Sequence, residues 1–416
     1  MNRIISIIIV LFLSTVPLYA QDGVSLGLGG AYTALARETE AIYWNPANLA
    51  LYDTINPRIN IKPYSFYGGF DNNALTIDLY NKYNGKYLTS TDKKEILDAI
   101  PDNGVKLLGK VDASALGISY RNFGFSIEAN GAMKGSLSKN VFDIILNGNI
   151  RTDSVYNFSS SGYGFGLARF NFSYGRVIAK NRFLLLPFGR SIKLRQVNAG
   201  ATLSILRGIG YVNLIDSNAR LELFNGGFNA PSRFRVRESR GGWGVGLDLG
   251  FSMVTETQWC AGFALDNALS TIRWSKEAKE RTEQFDLRQL RFLDELSDLK
   301  MDDYRTSTDK TINGFSDDLP RNFRLGIGKY FSQFVVSGEW ARENGHMLFT
   351  AGGGVYLSFL HLYAGFGTME SDVNFSGAIA FDFRYVIIDF GFRNRSGFTS
   401  DKTKGLTIAH SIRLAF

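Results

Sequence analysis

The chain has 416 residues, of which 45% are hydrophobic and 14% aromatic, with 44 Gly, 33 Phe and 19 Tyr. Its net charge of +7 is spread along the chain without a basic cluster, which argues against a nucleic-acid partner, and the single Cys260 excludes an intramolecular disulfide. No proline- or serine-rich linker divides the chain, so one large closed β-barrel is favoured over two soluble domains.

Residues 1–20 are typical of a secretory signal peptide. Arg3 supplies the positive start, Ile4 to Leu13 form the apolar core, and Ala20 is the small residue before the cut. The core is too short to span a bilayer, and a short N-terminal anchor is the alternative interpretation. The signal predicts a periplasmic, outer-membrane or external protein.

Residues 21–55 combine glycines with small side chains. Gly27, Gly29 and Gly30 allow close approach to a wall, and Asn45-Pro46-Ala47 interrupts regular structure because proline lacks an N–H. We expect a compact segment that is enclosed by the rest of the protein. The Asn45 side chain is expected to form a hydrogen bond with the backbone two residues further on.

This stretch also carries a family resemblance. The motif Gly-x-Gly-Gly-Ala-Tyr-Thr-Ala-Leu-Ala, followed by Ala-Ile-Tyr-Trp-Asn-Pro-Ala-Asn-Leu-Ala, resembles the N-terminal hatch of the outer-membrane long-chain fatty-acid transporter family. Relatives of that family include the shuttle barrel of type IX secretion. The resemblance covers residues 25–50, and beyond them it is one of architecture. The alternative is a glycine-rich N-terminal loop of any barrel.

The resemblance implies a hatch, residues 21–55, inside a barrel formed by residues 56–416. In that family an apolar ligand binds near the hatch and leaves sideways through the wall. A ligand-binding or gating role is thereby implied for the hatch motif, namely Gly27, Gly29, Gly30, Asn45, Pro46 and Ala47.

From residue 115 onward the side chains follow a two-residue period. Leu249 alternates with Gly250, and Phe390 with Gly391, as in an antiparallel transmembrane barrel whose apolar side chains face lipid. Strand candidates number roughly 12 to 16, and a bacterial barrel takes an even number; the resemblance favours fourteen. The last strand ends at Phe416, which resembles the signal read by the barrel-assembly machinery.

Three stretches of the chain depart from a strand pattern. A helix is predicted near 90–101, with Thr91 as its N-cap and Pro101 as its end, and an amphipathic helix near 275–300. Residues 225–242 are predicted to be mostly loop. A weak hairpin is expected near Asp216-Ser217-Asn218.

No enzyme chemistry stands out. The three histidines form no metal spacing, and the adjacent His410 and Ser411 point to opposite faces of a strand. We therefore expect no catalytic residue, metal or cofactor, and a monomer in contact with outer-membrane lipid. Six charged residues are predicted to face the lumen: Arg324, Glu339, Asp382, Asp389, Arg393 and Arg413.

Three functions remain open from the sequence. The first is passage of hydrophobic, fatty-acid-like small molecules across the outer membrane. The second is a protein-binding barrel that acts as a secretion shuttle or adaptor, and the third is a structural barrel without a transported ligand. A dry apolar tunnel favours the first, whereas a charged and filled interior weakens it.

Overall fold

The computed structural model describes residues 22–52, 58–148, 154–185, 191–225, 227–291, 301–343, 346–369, 372–398 and 402–416. The predicted signal peptide lies outside the described residues. The α-helices are short: α1 (Gly23–Gly27), α2 (Thr39–Trp44), α3 (Ile77–Tyr83), α4 (Ser90–Asp98) and α5 (Lys139–Asn147). Short 3-10 helices occupy Pro46–Leu51 and Met301–Tyr304. Among the described residues, no helix is long and apolar enough to cross a bilayer.

Strands make up most of the rest of the molecule. In chain order they are β1 (Ile59–Asn72), β2 (Val105–Tyr120), β3 (Phe123–Leu137), β4 (Val155–Phe158), β5 (Ser160–Leu185), β6 (Ser191–Phe224), β7 (Gly227–Ser239), β8 (Gly242–Thr255), β9 (Cys260–Trp274), β10 (Lys279–Arg291), β11 (Arg305–Thr311), β12 (Phe315–Asp318), β13 (Asn322–Tyr330), β14 (Phe334–Glu343), β15 (His346–Leu357), β16 (Leu360–Met369), β17 (Asp372–Asp382), β18 (Val386–Arg395) and β19 (Gly405–Ala415).

These strands form a closed antiparallel barrel of 14 strands, as predicted. Its members are all the strands except β4, β7, β10, β11 and β12. The ring closes where β1 pairs with β19, from Asn60 opposite Ala415 to Asp71 opposite Gly405. Closure leaves no free edge around the wall, so every neighbouring pair of barrel strands exchanges backbone hydrogen bonds.

The predicted alternation of faces is confirmed. Leu249 is 40% exposed on the outer face, whereas a Cβ on Gly250 would lie 2.2 Å from Asn45 Oδ1 inside the barrel. Phe390 is 50% exposed, and a Cβ on Gly391 would lie 2.5 Å from the Gly23 carbonyl oxygen. The outer face is therefore apolar and the inner face small or polar, the reverse of a soluble sandwich.

His410, which departs from the apolar register of β19, lies on the outer face. Its ring contacts Tyr64, Phe66 and Phe390, with centroid distances of 5.1 to 5.8 Å. This aromatic cluster spans the closing seam formed by β18, β19 and β1. Ser411 points inward and donates to Asp389, so the two residues do lie on opposite faces.

The two ends of the barrel differ. At one end, called the turn end, short connections such as Arg121-Asn122 join the strands, and Phe416 bonds to Ile59. At the other, the loop end, long connections carry α3, α4 and α5, and Phe142 of α5 packs against a small apolar cluster of Ala74, Ile100 and Val105.

The wall extends beyond the barrel at the loop end. The upper half of β6 pairs with β7, β7 with β10, and β10 with β11, while β4 pairs with the outer part of β6. The predictions of a loop at 225–242 and of a hairpin near Asp216-Ser217-Asn218 were therefore wrong. β7 contains a proline and several arginines, but it forms a strand because its backbone pairs with β6 on one side and β10 on the other.

The helix predicted near 275–300 was also wrong over the described part. Residues 279–291 form β10, and residues 292–300 lie outside the described residues. Lys279, Arg281 and Glu283 recur with a period of two and reach Glu238, Asp309 and Arg305 on the neighbouring strands. These cross-strand ion pairs and the two backbone partners outweigh the helical spacing of the leucines.

The helix predicted near 90–101 is confirmed as α4. Its N-cap is Thr89 rather than Thr91, because Thr89 and Asp92 bond reciprocally in a capping box.

Candidate functional site

Residues 22–52, called the N-terminal segment, lie inside the barrel against its inward-facing side chains. α1 begins at the capping box of Asp22 and Ser25, and both residues are buried. The Gly23 N–H donates to Asp389 on β18 at 2.6 Å, and Ser376 on β17 donates to the Gly27 carbonyl at 3.1 Å. The first N–H groups of a helix have no acceptor within the helix, and here a carboxylate of the barrel wall accepts one of them.

The glycines of the motif serve two different purposes. Gly27 packs so tightly that a Cβ would lie 2.4 Å from the Ala378 Cβ. Gly29 and Gly30 have φ of +73° and +92°, which end α1 in a conformation that other residues resist. A Cβ on Gly30 would meet no atom within 4 Å, so its requirement is conformational.

Asn45, Pro46 and Ala47 attach the second half of the segment to the wall. Asn45 Oδ1 accepts from the Ala47 N–H at 3.1 Å, the bond expected from the sequence, and caps the 3-10 helix Pro46–Leu51. Asn45 Nδ2 donates to the Phe251 carbonyl on β8 at 3.1 Å. A Cβ on Gly200 of β6 would lie 2.4 Å from the Ala47 nitrogen. The turn therefore packs against the wall at a position where only glycine leaves enough room.

Buried charges hold the middle of the segment. Arg324 on β13 donates to the Trp44 carbonyl at 2.9 Å, stacks on the Trp44 ring at 4.7 Å and pairs with Asp266 at 3.0 Å. Glu339 on β14 accepts from the Thr33 N–H at 2.9 Å. Both wall side chains are more than nine-tenths buried, so each needs polar partners within the protein. The segment supplies part of them.

A second buried pair joins α2 to β1. Lys62 Nζ lies 3.1 Å from Glu40, and neither side chain is more than 1% exposed. Burial raises the pKa of Glu40 to about 8, with Asp22 acting in the same direction and Lys62 opposing. Replacing Glu40 with a neutral residue would take away the carboxyl partner of the buried Lys62 ammonium, which is destabilising.

The remaining strands contact the segment through apolar or hydroxyl groups. Tyr43 shares a hydrogen bond of 2.9 Å with Ser114 on β2, and Leu26 clusters with Ala409 on β19. The inward wall glycines that approach the segment on the other strands are Gly124, Gly175, Gly262, Gly352 and Gly365. The segment thus contacts every strand of the barrel.

The lumen is charged and filled rather than a dry apolar tunnel. Of the six charged residues predicted to face it, Arg324, Glu339, Asp389, Arg393 and Arg413 do so. Asp382 instead lies in the turn at the end of β17 and accepts from the Arg384 N–H, because the strand ends there.

Two cavities adjoin these elements. One of about 180 Å³ lies between the segment and the wall near the turn end, lined by Tyr32, Tyr330, Tyr356 and Tyr363 with Val24 and Leu28. A larger one of about 760 Å³ borders the wall nearer the loop end, where glycines recur on neighbouring strands: Gly69, Gly109, Gly131, Gly164 and Gly210.

Among the described residues, no group of His, Cys, Asp and Glu could hold a metal ion. Cys260 is buried and receives a hydrogen bond from Arg37, which also donates to two carbonyls of the segment.

The sequence profile of a family of unknown function, DUF5723, matches residues 54–338. The chain belongs to the DUF5723 family. The match begins just after the described part of the N-terminal segment and ends within β14. No curated protein matches the chain.

Solved structures resemble this DUF5723 barrel over nearly its whole length. The Ralstonia pickettii toluene transporter TbuX is 13% identical, with 96% of this chain and 99% of that chain covered at a TM-score of 0.54. The P. putida toluene transporter TodX is 12% identical, with coverages of 96% and 99% and a TM-score of 0.52. A Pseudomonas aeruginosa FadL homologue is 12% identical, with coverages of 97% and 98% and a TM-score of 0.50. At these identities the likeness establishes the fold.

Sequence reasoning on this DUF5723 chain missed some of the residues that hold the segment. Lys62 and Asp266 of the wall and Trp44 of the segment were not singled out. The sequence did offer one signal for such residues, namely a charged residue at an inward position on a strand face that is otherwise small or polar. A charge buried there requires a partner. The partner itself, 280 residues away for Arg324 and Trp44, is set by the closed barrel and cannot be read from local pattern.

Proposed function

We propose that this barrel lies in a bacterial outer membrane and passes small hydrophobic molecules, with residues 21–55 as a hatch that gates the lumen. The observation that carries the proposal is the seating of the N-terminal segment. It lies across the lumen and is held against the wall by non-covalent contacts, namely hydrogen bonds, ion pairs and packing. A toluene transporter and a FadL homologue share the fold, which supports this direction.

The space next to the segment suits an apolar ligand. The cavity of about 180 Å³ is lined by tyrosine rings and aliphatic side chains, together with His361 and Arg413. An apolar molecule that enters it gains about 25 cal/mol for each Å² removed from water. Movement of the segment would then open the way to the turn end, which faces the periplasm in barrels with short turns at one end.

The test uses Asn45→Ala combined with Pro46→Gly. This change removes the Ala47 and Phe251 hydrogen bonds of Asn45 but leaves the strand pairing intact. We expect a folded barrel with altered uptake of a hydrophobic fluorescent probe or new ion conductance in a planar bilayer. Uptake and conductance equal to those of wild type, in a variant with unchanged barrel stability, would remove the gating role.

A second candidate is a protein-binding barrel of the shuttle or adaptor kind. The observation in its favour is the charged and filled interior, together with the polar sheet β7, β10 and β11 beyond the loop end. Co-purification from native membranes separates the two, because a shuttle retains a partner protein and a transporter retains lipid-like molecules. Retention of neither would favour a purely structural barrel.

A further inference from the structure

The β5–β6 hairpin projects from the turn end of the barrel, and its outer part is called the ribbon. The ribbon consists of residues 176–185 of β5 paired with residues 191–199 of β6; residues 186–190 lie outside the described residues. The β6 strand also pairs with β8 from Leu194 inward, so the ribbon is two-stranded only at 183–185 and 191–193. The last pair between β5 and β3 is Tyr174 with Phe123, and the last between β6 and β8 is Leu194 with Thr255. The β5 strand therefore runs about 30 Å past its neighbour, at ~3.3 Å per residue.

The outer edge of the ribbon's β5 strand is free. Beyond Gly175, whose N–H donates to Asn122, no described residue pairs with that edge of β5. A free strand edge is a template for strand addition. The other described connections at this end are short turns, so the ribbon is a specific feature rather than a property of the rim.

Large apolar side chains stand on both faces of the ribbon. Phe183 is 65% exposed, Leu184 36% and Leu185 80%, and successive residues of a strand point to opposite faces. Ile178 is 57% exposed. A bilayer surface could cover one face only, whereas the cleft of a protein partner can cover both.

The ribbon is also strongly basic. Its described residues include the exposed cations Arg176, Lys180, Arg182, Lys193 and Arg195, and no Asp or Glu. Lys193 pairs with Glu256 of the adjacent turn at 2.5 Å. Charge complementarity therefore favours an acidic partner, whose approach the remaining cations would steer.

We propose that the ribbon docks a periplasmic protein that presents an acidic surface and adds a strand to the free edge of β5. The proposal rests on the outer-membrane placement proposed above, with the turn end in the periplasm, and is independent of whether the lumen passes a ligand. Main-chain bonds of the added strand supply affinity, and pockets for Phe183 and Leu185 supply specificity.

The test places a photoreactive amino acid at Phe183 or Leu185 in living cells, with Gln333, exposed in a short turn at the same end, as the control position. Expected is one discrete protein adduct from the ribbon and none from the control. Mass spectrometry identifies the adduct, and its purified form is then titrated against the detergent-solubilised barrel.

Charge reversal decides the outcome. Arg176→Glu with Arg182→Glu should weaken that binding at least about tenfold at low salt, as a charge-steered interface requires, while Lys86→Glu with Lys310→Glu at the loop end should leave it unchanged. If the reversed barrel fails to assemble, Phe183→Ser with Leu185→Ser makes the same comparison. Adducts with lipid alone, no adduct, or binding unaffected by both ribbon variants would overturn the proposal. Unchanged probe uptake in the ribbon variants keeps this result separate from the transport test.

Discussion

Replacing Trp44 with alanine tests how the N-terminal segment is held. Trp44 is 2% exposed, its ring lies edge-on to Tyr32 at 5.7 Å, and the Arg324 guanidinium lies 4.7 Å from its centroid. Truncating a buried tryptophan costs about 3–5 kcal/mol. The cost falls on the seating of the segment, because the strand pairs of the barrel do not involve Trp44.

Hydrogen exchange measures this loss directly. At ~1.36 kcal/mol for each factor of ten, amides of α2 and of the 3-10 helix Pro46–Leu51 should exchange roughly 10²- to 10⁴-fold faster in Trp44→Ala. Amides of β14 should keep their protection. The matched control is Trp340→Ala, since Trp340 lies on the outer face of β14 at 37% exposure. Segment amides as protected as in wild type, or faster exchange throughout the barrel, would refute the reasoning.

Three further predictions follow from the faces and the ends of the strands. Phe390→Arg should destabilise the barrel by ~2–4 kcal/mol, as expected for a lipid-facing residue near the bilayer midplane, measured by urea unfolding in lipid vesicles; a loss under about 0.5 kcal/mol would contradict a lipid-facing position at that depth. Gly365→Ala should loosen the segment, because its Cβ would lie 2.4 Å from the Gly29 nitrogen, whereas Gly338→Ala, with 3.8 Å to its nearest atom, should not; protease protection of the segment measures both, and equal protection would count against the close seat. Deleting Phe416 should lower the amount of assembled barrel in membranes, read as heat-modifiable migration on gels, and unchanged assembly would remove its role as the recognition signal.

The barrel could be predicted from the sequence because its evidence is local and repeated. The alternation in β8, β18 and β19 needs no knowledge of distant residues, and Leu249 and Phe390 were placed on the correct face. The extension at the loop end could not be read in this way. β7 and β10 carry arginines, a proline and leucines at helical spacing, and only their pairing with each other and with β6 makes them strands.

The seat of the N-terminal segment was predictable in part. Asn45 made the expected bond to Ala47, because an Asx turn depends on neighbours only. The partners Asp389, Glu339 and Arg324 lie hundreds of residues away, and their choice depends on the barrel's closure and register. The gating and ligand-binding roles of the motif stay predictions.

Locking the segment to the wall tests the central claim most directly. The Thr33 Cβ lies 3.4 Å from the position of a Cβ on Gly326, close to the separation that a disulfide requires. Thr33→Cys with Gly326→Cys, in a Cys260→Ala background, should form a bond that reductant opens. We expect the oxidised barrel in vesicles to take up a hydrophobic probe at the rate of empty vesicles and the reduced barrel to regain uptake. Equal, barrel-dependent uptake in both states would contradict a hatch that must move.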